Sequence, residues 1–268
     1  MPEQPILLFE QQGHIATITL NRPETRNAIS ESDMVEALVS ACQRVNEEGS
    51  IRVMILTATG DTFCSGGNIK HMRDKQGMFA GDERTLMENY RQGIQRIPLA
   101  LSQVSVPVIA AVNGAAVGAG CDLACMCDIR IASSTAMFAE SFIKMGLIPG
   151  DGGAWLLPRV IGISRATEMA LTGRPVNAET ACRWGLVSTV VDADELMACA
   201  NAMAHDIAAN PPQALKATKR LLQQGQTLSL PELLDVSARL QATLHGTRDH
   251  HEAVNAFLEK RKPRFTGQ

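Results

Sequence analysis

Two segments could place backbone N–H groups against an oxygen atom. They are Phe63-Cys64-Ser65-Gly66-Gly67-Asn68-Ile69 and Asn113-Gly114-Ala115-Ala116-Val117-Gly118-Ala119-Gly120-Cys121-Asp122. Each follows a predicted strand and leads toward a helix, and a pair of such donors is how a protein stabilises a thioester enolate. Neither is a nucleotide motif: the glycine spacing is not G-x-G-x-x-G, and no Gly-Lys-Ser/Thr makes a P-loop. For either segment alone the alternative is that its glycines only permit a tight turn or close packing. Cys121, Cys125 and Cys127 cluster, but no His follows at metal-ligand spacing and no second pair matches them. The seven cysteines read as reduced thiols packed as small hydrophobes, with no metal.

The chain that must position these loops has 268 residues, 45% hydrophobic and 20% charged, which excludes collagen-like and disordered classes. Its net charge of −3 demands no basic face, so nucleic acid and anionic membranes are not expected partners. Met1-Pro2-Glu3-Gln4-Pro5 lacks the pattern of a signal peptide, and the longest apolar run, Val106 to Ala119, is broken by Pro107 and Asn113-Gly114. A soluble, cytoplasmic protein is expected.

Ile6 to Glu10 and His14 to Leu20 read as a hairpin around Gln11-Gln12-Gly13. From Ser30 as N-cap, Met34, Ala37, Leu38, Ala41 and Val45 fall at helical spacing, closed by Gly49. Arg52 to Thr57, Pro107 to Val112 and Asp128 to Ala132 read as strands, with a helix over about Glu83 to Ser102 and another by Cys121. The alternation predicts right-handed crossovers around a mostly parallel sheet. After about Ala193 the chain reads as wholly helical (Asp194–Ala209, Pro211–Gln224, Pro231–Leu244, Asp249–Lys260); these helices follow no strand they could cover, and a helical module that packs on the core or on a neighbouring subunit is expected. A division into a core, 1–195, and a C-terminal helical region, 196–268, follows.

Together and in order, the two loops resemble those of the crotonase (enoyl-CoA hydratase/isomerase) superfamily. The resemblance also takes in Leu20-Asn21-Arg22-Pro23 with Asn27-Ala28, Ala110 to Gly114, Cys127-Asp128-Ile129-Arg130 and Gly146-Leu147-Ile148-Pro149 with Gly152-Gly153. It continues through Leu171-Thr172-Gly173, Ala181, Gly185-Leu186-Val187 and Phe257 to Lys262, and so covers nearly the whole chain. It implies an α/β fold, a spiral of stacked β-β-α turns with a C-terminal helical trimerisation region. It also implies a homotrimer or dimer of trimers, and an acyl-CoA thioester substrate with no further cofactor.

Carried over by position, the two oxyanion-hole N–H groups fall on Gly67 and Ala119. Ser65 and Ile69 fall where backbone groups hold the adenine, and Arg26 and Lys70 where basic residues meet CoA phosphates. Phe257 and Lys260 match C-terminal positions that reach a neighbouring subunit's CoA. The alternatives are solvated surface charge for Arg26 and Lys70, and plain helix packing for Phe257.

Hydration in this family uses two glutamates, one in a G-x-G-C-E segment and one in F-x-x-P-E. Here the first position is Asp122, still a carboxylate, but the second is Phe142, which has no proton to exchange. Asp151 lies one residue past the position where dienoyl-CoA isomerases, a ring-forming isomerase type and a dehalogenase carry a catalytic Asp. Its alternative role is N-cap of the helix that begins at Gly152-Gly153. Glu140, on the Phe142 segment, reads as a surface or structural carboxylate.

The expected reaction is hydration or double-bond shift of an unsaturated acyl-CoA, with Asp122 as acid/base and Asp151 second. Phe142 pulls toward the double-bond shift, which needs only one proton carrier. Two other classes stay open: hydrolase or dehalogenase chemistry through a carboxylate nucleophile, and a catalytically silent oligomer that binds CoA esters.

Overall fold

The computed structural model describes residues 5–268; Met1–Gln4, part of the stretch compared above with a signal peptide, lie outside the described residues. Among the described residues, ten strands form two sheets. The larger has six: β1 (Leu7–Gln12), β2 (Ile15–Leu20), β3 (Val53–Ala58), β5 (Val108–Val112), β7 (Ile129–Ser133) and β10 (Thr189–Val191), in the order β1-β2-β3-β5-β7-β10. The hairpin β1–β2 is antiparallel and every later pairing in this sheet is parallel. The smaller sheet holds β4 (Thr62–Cys64), β6 (Ala115–Val117), β8 (Met137–Ala139) and β9 (Val176–Asn177), in that order, with only β8–β9 antiparallel.

The two sheets grow by one repeated step. A long strand of the first sheet is followed by a short strand of the second and then a helix: β3, β4 and Ile69–Asp74; β5, β6 and Ala119–Cys125. β7 and β8 repeat the pair of strands, with a 3₁₀ turn (Ser141–Met145) before the helix Gly153–Ile161. This is the spiral of stacked turns. Runs of three residues carry too little periodicity to be read as strands, which is why sequence patterning alone finds five strands of the larger sheet and misses β10 and the smaller sheet.

β3 and β5 are continuous apolar runs because both faces of the large sheet are covered. Met54, Leu56, Val108, Ala110 and Val112 pack on one side with Leu38, Leu101 and Phe138. Val53, Ile55, Ile109, Ala111 and Ile131 pack on the other with Leu196, Ala200, Ala204 and Ala208. That second face places the first of the C-terminal helices on the core, one of the two placements expected for them. The helix Leu196–Ala208 lies on the sheet itself, with Ala200, Ala204 and Ala208 spaced four apart above Leu196 and allowing close approach. Beyond it come the helices Pro212–Gln224, Leu230–His245 and Arg248–Leu258. No described helix is long and apolar enough to cross a membrane.

Two local expectations also change. The helix Glu83–Ser102 is two helices, Glu83–Gln92 and Arg96–Ser102, broken at Gly93, where a Cβ would lie 2.5 Å from the Asn89 carbonyl oxygen. Ser30 does not cap the helix Ser32–Glu47, whose N-cap is Glu31 without a side-chain bond; the Ser30 hydroxyl instead accepts the N–H of Asn68.

Candidate active site

The glycine loops leave neighbouring parallel strands side by side, β4 paired with β6 through Cys64 and Ala116. They are pressed together so closely that only glycine fits at the contact. Gly66, at φ +81°, would place a Cβ 2.7 Å from the Val117 oxygen and 2.9 Å from the Ala119 nitrogen. A Cβ on Gly120 would fall on the Cys64 carbonyl oxygen.

Around Gly67 the loop is clamped on both sides. The Ile29 N–H donates to the Gly66 oxygen (2.9 Å), the Asn68 N–H to Ser30 Oγ (3.0 Å) and Asn68 Nδ2 to Glu31 (2.9 Å). Gly66 N–H is directed at Cys64 Sγ, so the Gly67 N–H stands between two committed neighbours without an acceptor among the described residues. On the second loop, Gly118 N–H donates to the Ala139 oxygen (2.7 Å), while the Cys121 and Asp122 N–H groups turn back to the Gly118 oxygen. The Ala119 N–H, at the first position of its helix, is likewise without an acceptor among the described residues. Two uncommitted donors therefore project from adjacent loops. Met72 and Phe79 border the Gly67 side and Phe142 the Gly118 side.

Three carboxyl groups are buried beside these loops: Asp122 (0% exposed), Glu140 (1%) and Asp151 (4%). Both oxygens of Asp122, both of Glu140 and Oδ1 of Asp151 have no hydrogen-bond partner among the described residues. A Cβ on Gly153 would fall on Asp122 Oδ1, so the Asp122 carboxyl rests directly against the backbone of Gly153. Burial raises Asp122 well above the ordinary carboxylate range, and the charge of Glu140 raises it further. Burial also raises Glu140, and pushes Asp151 up to about 6, with Glu140 again adding to the shift. No cationic side chain among the described residues pairs with any of the three to offset these shifts.

Asp151 is not a cap. The helix Gly153–Ile161 has Gly152 at its N-cap, at φ +110°, and no side chain bonds to its first turn. Asp151 instead lines a cavity of about 1150 Å³ with Gln95, Trp155, Leu156 and Leu215, between the core and the helix Pro212–Gln224. Glu140, read from sequence as surface or structural, is as buried as Asp122 and within its hydrogen-bonding reach. A lone carboxylate in the otherwise weakly polar run Ala136 to Phe142 is the signal that could have found it.

The remaining residues divide into two groups. Arg26, Ser65, Ile69 and Lys70 surround the first loop, with Ser65 N–H on the Arg26 oxygen (3.0 Å) and exposed side chains on Arg26, Ile69 and Lys70. Phe257 and Lys260 lie at the end of the helix Arg248–Leu258, which packs on Leu230–His245; Phe257 is 82% exposed and so is not buried in helix packing.

The chain is 37% identical over 263 residues to the 1,2-epoxyphenylacetyl-CoA isomerase of Escherichia coli, covering 98% of each chain. It is 34% identical over 259 residues to the short-chain-enoyl-CoA hydratase of Clostridium acetobutylicum, covering 96% of this chain and 95% of the relative. The solved structure of enoyl-CoA hydratase from Bacillus anthracis superposes with a TM-score of 0.92 at 33% identity, covering 98% of this chain and all of that one. The family model for enoyl-CoA hydratase/isomerase matches residues 10–268, and the chain belongs to that family.

Proposed function

We propose that the protein shifts the double bond of an α,β- or β,γ-unsaturated acyl-CoA, stabilising a thioester enolate. The observation that carries this reading is the meeting of two uncommitted backbone donors with buried, unpartnered carboxyl groups. The thioester oxygen would sit between the N–H groups of Gly67 and Ala119, which hold negative charge best when it develops in the transition state. Asp122 is the principal proton carrier and Asp151 the second. With its value near 6, Asp151 is mostly ionised at neutral pH and suited to take a proton, whereas Asp122 is suited to give one. Phe142 at the second glutamate position favours a proton shift over the addition of water. Hydration is the second reading, favoured by the presence of a further carboxyl at Glu140 and by the hydratase among the relatives.

The CoA moiety would lie along the first loop, with backbone groups of Ser65 and Ile69 toward the adenine and the exposed Arg26 and Lys70 toward the phosphates. The exposure of Phe257 fits a role toward the CoA of a neighbouring subunit, together with Lys260, in a homotrimer or dimer of trimers. CoA enters as part of the substrate, and no resident cofactor or metal is invoked. We place the protein in the cytoplasm. The division at 195/196 serves as a working boundary, with the helix Leu196–Ala208 packed on the core side of it.

The test is mass spectrometry of a panel of unsaturated acyl-CoAs after incubation with the protein. Unchanged mass with a shifted chromatographic peak supports the isomerase; gain of one water transfers support to the hydratase. A trapped acyl-enzyme would point to covalent hydrolytic chemistry, and tight binding with no turnover to a silent CoA-ester-binding oligomer.

A further inference from the structure

Three parallel strands of the small sheet end at the same edge, and each hands the chain to a group that can act on a ligand. β4 leads to Gly67, β6 to Ala119, and β8 directly to Glu140. The registers Ala116↔Phe138 and Val117↔Ala139, with Gly118 N–H on the Ala139 oxygen, place Glu140 beside the second loop. The carboxyl ends of parallel strands are where such folds bind and transform ligands. Yet Glu140 stands where the family resemblance assigns nothing, two residues before Phe142.

We propose that Glu140 is a positioning residue that shares a single proton with Asp122, holding Asp122 in its acid form beside the Gly67 and Ala119 donors. The geometry requires something of this kind. Four carboxyl oxygens are buried with no N–H or O–H donor among the described residues, the Cys121 thiol offers Glu140 only a weak bond, and the Asp122 carboxyl is seated against Gly153. Two carboxylates within hydrogen-bonding reach in a dry site cannot both be ionised, so one proton bridging them removes the repulsion and provides the missing donor.

The titratable groups acting on Asp122 are Glu140, Asp151 and the thiol of Cys125; those acting on Glu140 are Asp122 and Cys121. Asp151 faces Glu140, with Tyr90 beside it. The inference rests on the enolate reading above, and it completes the proton inventory. Asp151 takes a proton from one substrate carbon and relays a proton to Glu140 as Asp122 gives one to another carbon, so the pair is never doubly ionised. This relay closes the cycle with no net change. Phe142 has then not left the site a carboxylate short; the second carboxylate is Glu140.

Two readouts test this, and the first needs no substrate. Difference infrared spectroscopy of the whole protein at pH 7 should show a protonated buried carboxyl that disappears in Asp122→Asn and also, at the same pH, in Glu140→Gln. In the second, the high-pH limb of kcat/KM on a turned-over acyl-CoA should move down by about one unit or more in Glu140→Gln, with Glu140→Asp largely restoring it. KM should stay within about twofold, because the contacts to CoA are elsewhere. Absence of the protonated carboxyl in the wild type overturns the proposal, whether or not Glu140→Gln folds. An unmoved band and pH profile in a folded Glu140→Gln also overturn it. A shared proton in a protein inert toward every acyl-CoA would instead support the pair and remove the enolate reading.

Discussion

Two regions of the molecule bury carboxyl groups, and they treat them in opposite ways. Near the C-terminus, Asp249 accepts the N–H groups of Thr266 (2.7 Å) and Gly267 (2.8 Å), pinning the tail to its helix. At the base of the helix Pro212–Gln224, the buried Lys219 ammonium meets Asp128 Oδ2 (2.7 Å) and the Val106 oxygen (2.8 Å), while Asp128 also receives the Val108 N–H. The buried Asp249 and Lys219 are satisfied, as buried polar groups ordinarily are, with the part-exposed Asp128 as the counter-ion of Lys219. Asp122, Glu140 and Asp151 are buried as deeply as Asp249 and Lys219, yet Asp122, Glu140 and Oδ1 of Asp151 have no hydrogen-bond partner among the described residues. Unmatched burial costs stability, and it is sustained where it raises a proton affinity that chemistry can use. The contrast separates the carboxylates that hold the fold from those that the proposed function puts to work.

The sharpest way to break that contrast is to alter one member of each region. Asp122→Asn should lower kcat by about a hundredfold or more, the range for loss of a positioned proton carrier, with a melting temperature equal to or above that of the wild type. Lys219→Met should do the reverse. It strands Asp128 and the Val106 oxygen and should cost roughly 3 kcal/mol in denaturant unfolding while leaving kcat within about twofold. If Asp122→Asn instead melts early and keeps its turnover, Asp122 belongs with the structural group and the distinction collapses.

Next in size is Gly153→Ala. Its Cβ would occupy the place of Asp122 Oδ1, so either the carboxyl or the helix start must move. Overpacking of this kind costs about 1–3 kcal/mol, and displacement of a proton carrier by 1 Å costs on the order of a hundredfold in rate. Loss of stability with full kcat would show that the seat on Gly153 matters only to packing.

The legible part of this molecule was the part built from long, regular patterns. The β1–β2 hairpin, the apolar runs of β3 and β5 and the glycines at the loop contacts each carry a direct sequence mark, and Gly66, Gly67 and Ala119 do lie together. What was hidden depends on relations across the chain. Strands of two and three residues have no period to detect. The alanine ladder of Leu196–Ala208 reads as a weakly apolar helix until a sheet face is placed beneath it. Ser30 looks like a cap and is a clamp. Glu140 looks like surface because a single charge usually is; only the convergence of β4, β6 and β8 puts it beside Asp122.

Asp151 sharpens the comparison through pH. Its ordinary value is near 3.8 and its folded value about 6, raised first by burial and then by Glu140. The folded state therefore binds this proton more tightly than the unfolded chain. Its contribution to stability is largest below about pH 3.8, falls as pH rises toward 6, and stays low above that. Asp151→Asn should accordingly raise stability at pH 7 by about 2 kcal/mol, at roughly 1.4 kcal/mol per pKa unit discounted for residual solvent, with no gain at pH 3.5. In the wild type, activity should fall as pH drops through about 6, because the base must be ionised. A gain equal at both pH values would trace the effect to packing rather than to charge.

The smallest expected effect lies at Ser30, outside the pocket. Its hydroxyl fixes the Asn68 N–H, and with it the orientation of the neighbouring Gly67 donor. Ser30→Ala leaves that N–H without an acceptor at a cost of about 1 kcal/mol, while the Ile29–Gly66 bond and the Asn68–Glu31 bond still hold the loop near its place. An oxyanion donor slightly out of line weakens binding of the developing charge more than binding of the ground-state carbonyl. The loss should therefore appear as a three- to tenfold lower kcat with little change in KM. A change confined to KM would mean that Ser30 shapes the CoA groove through Ile69 rather than the donor at Gly67.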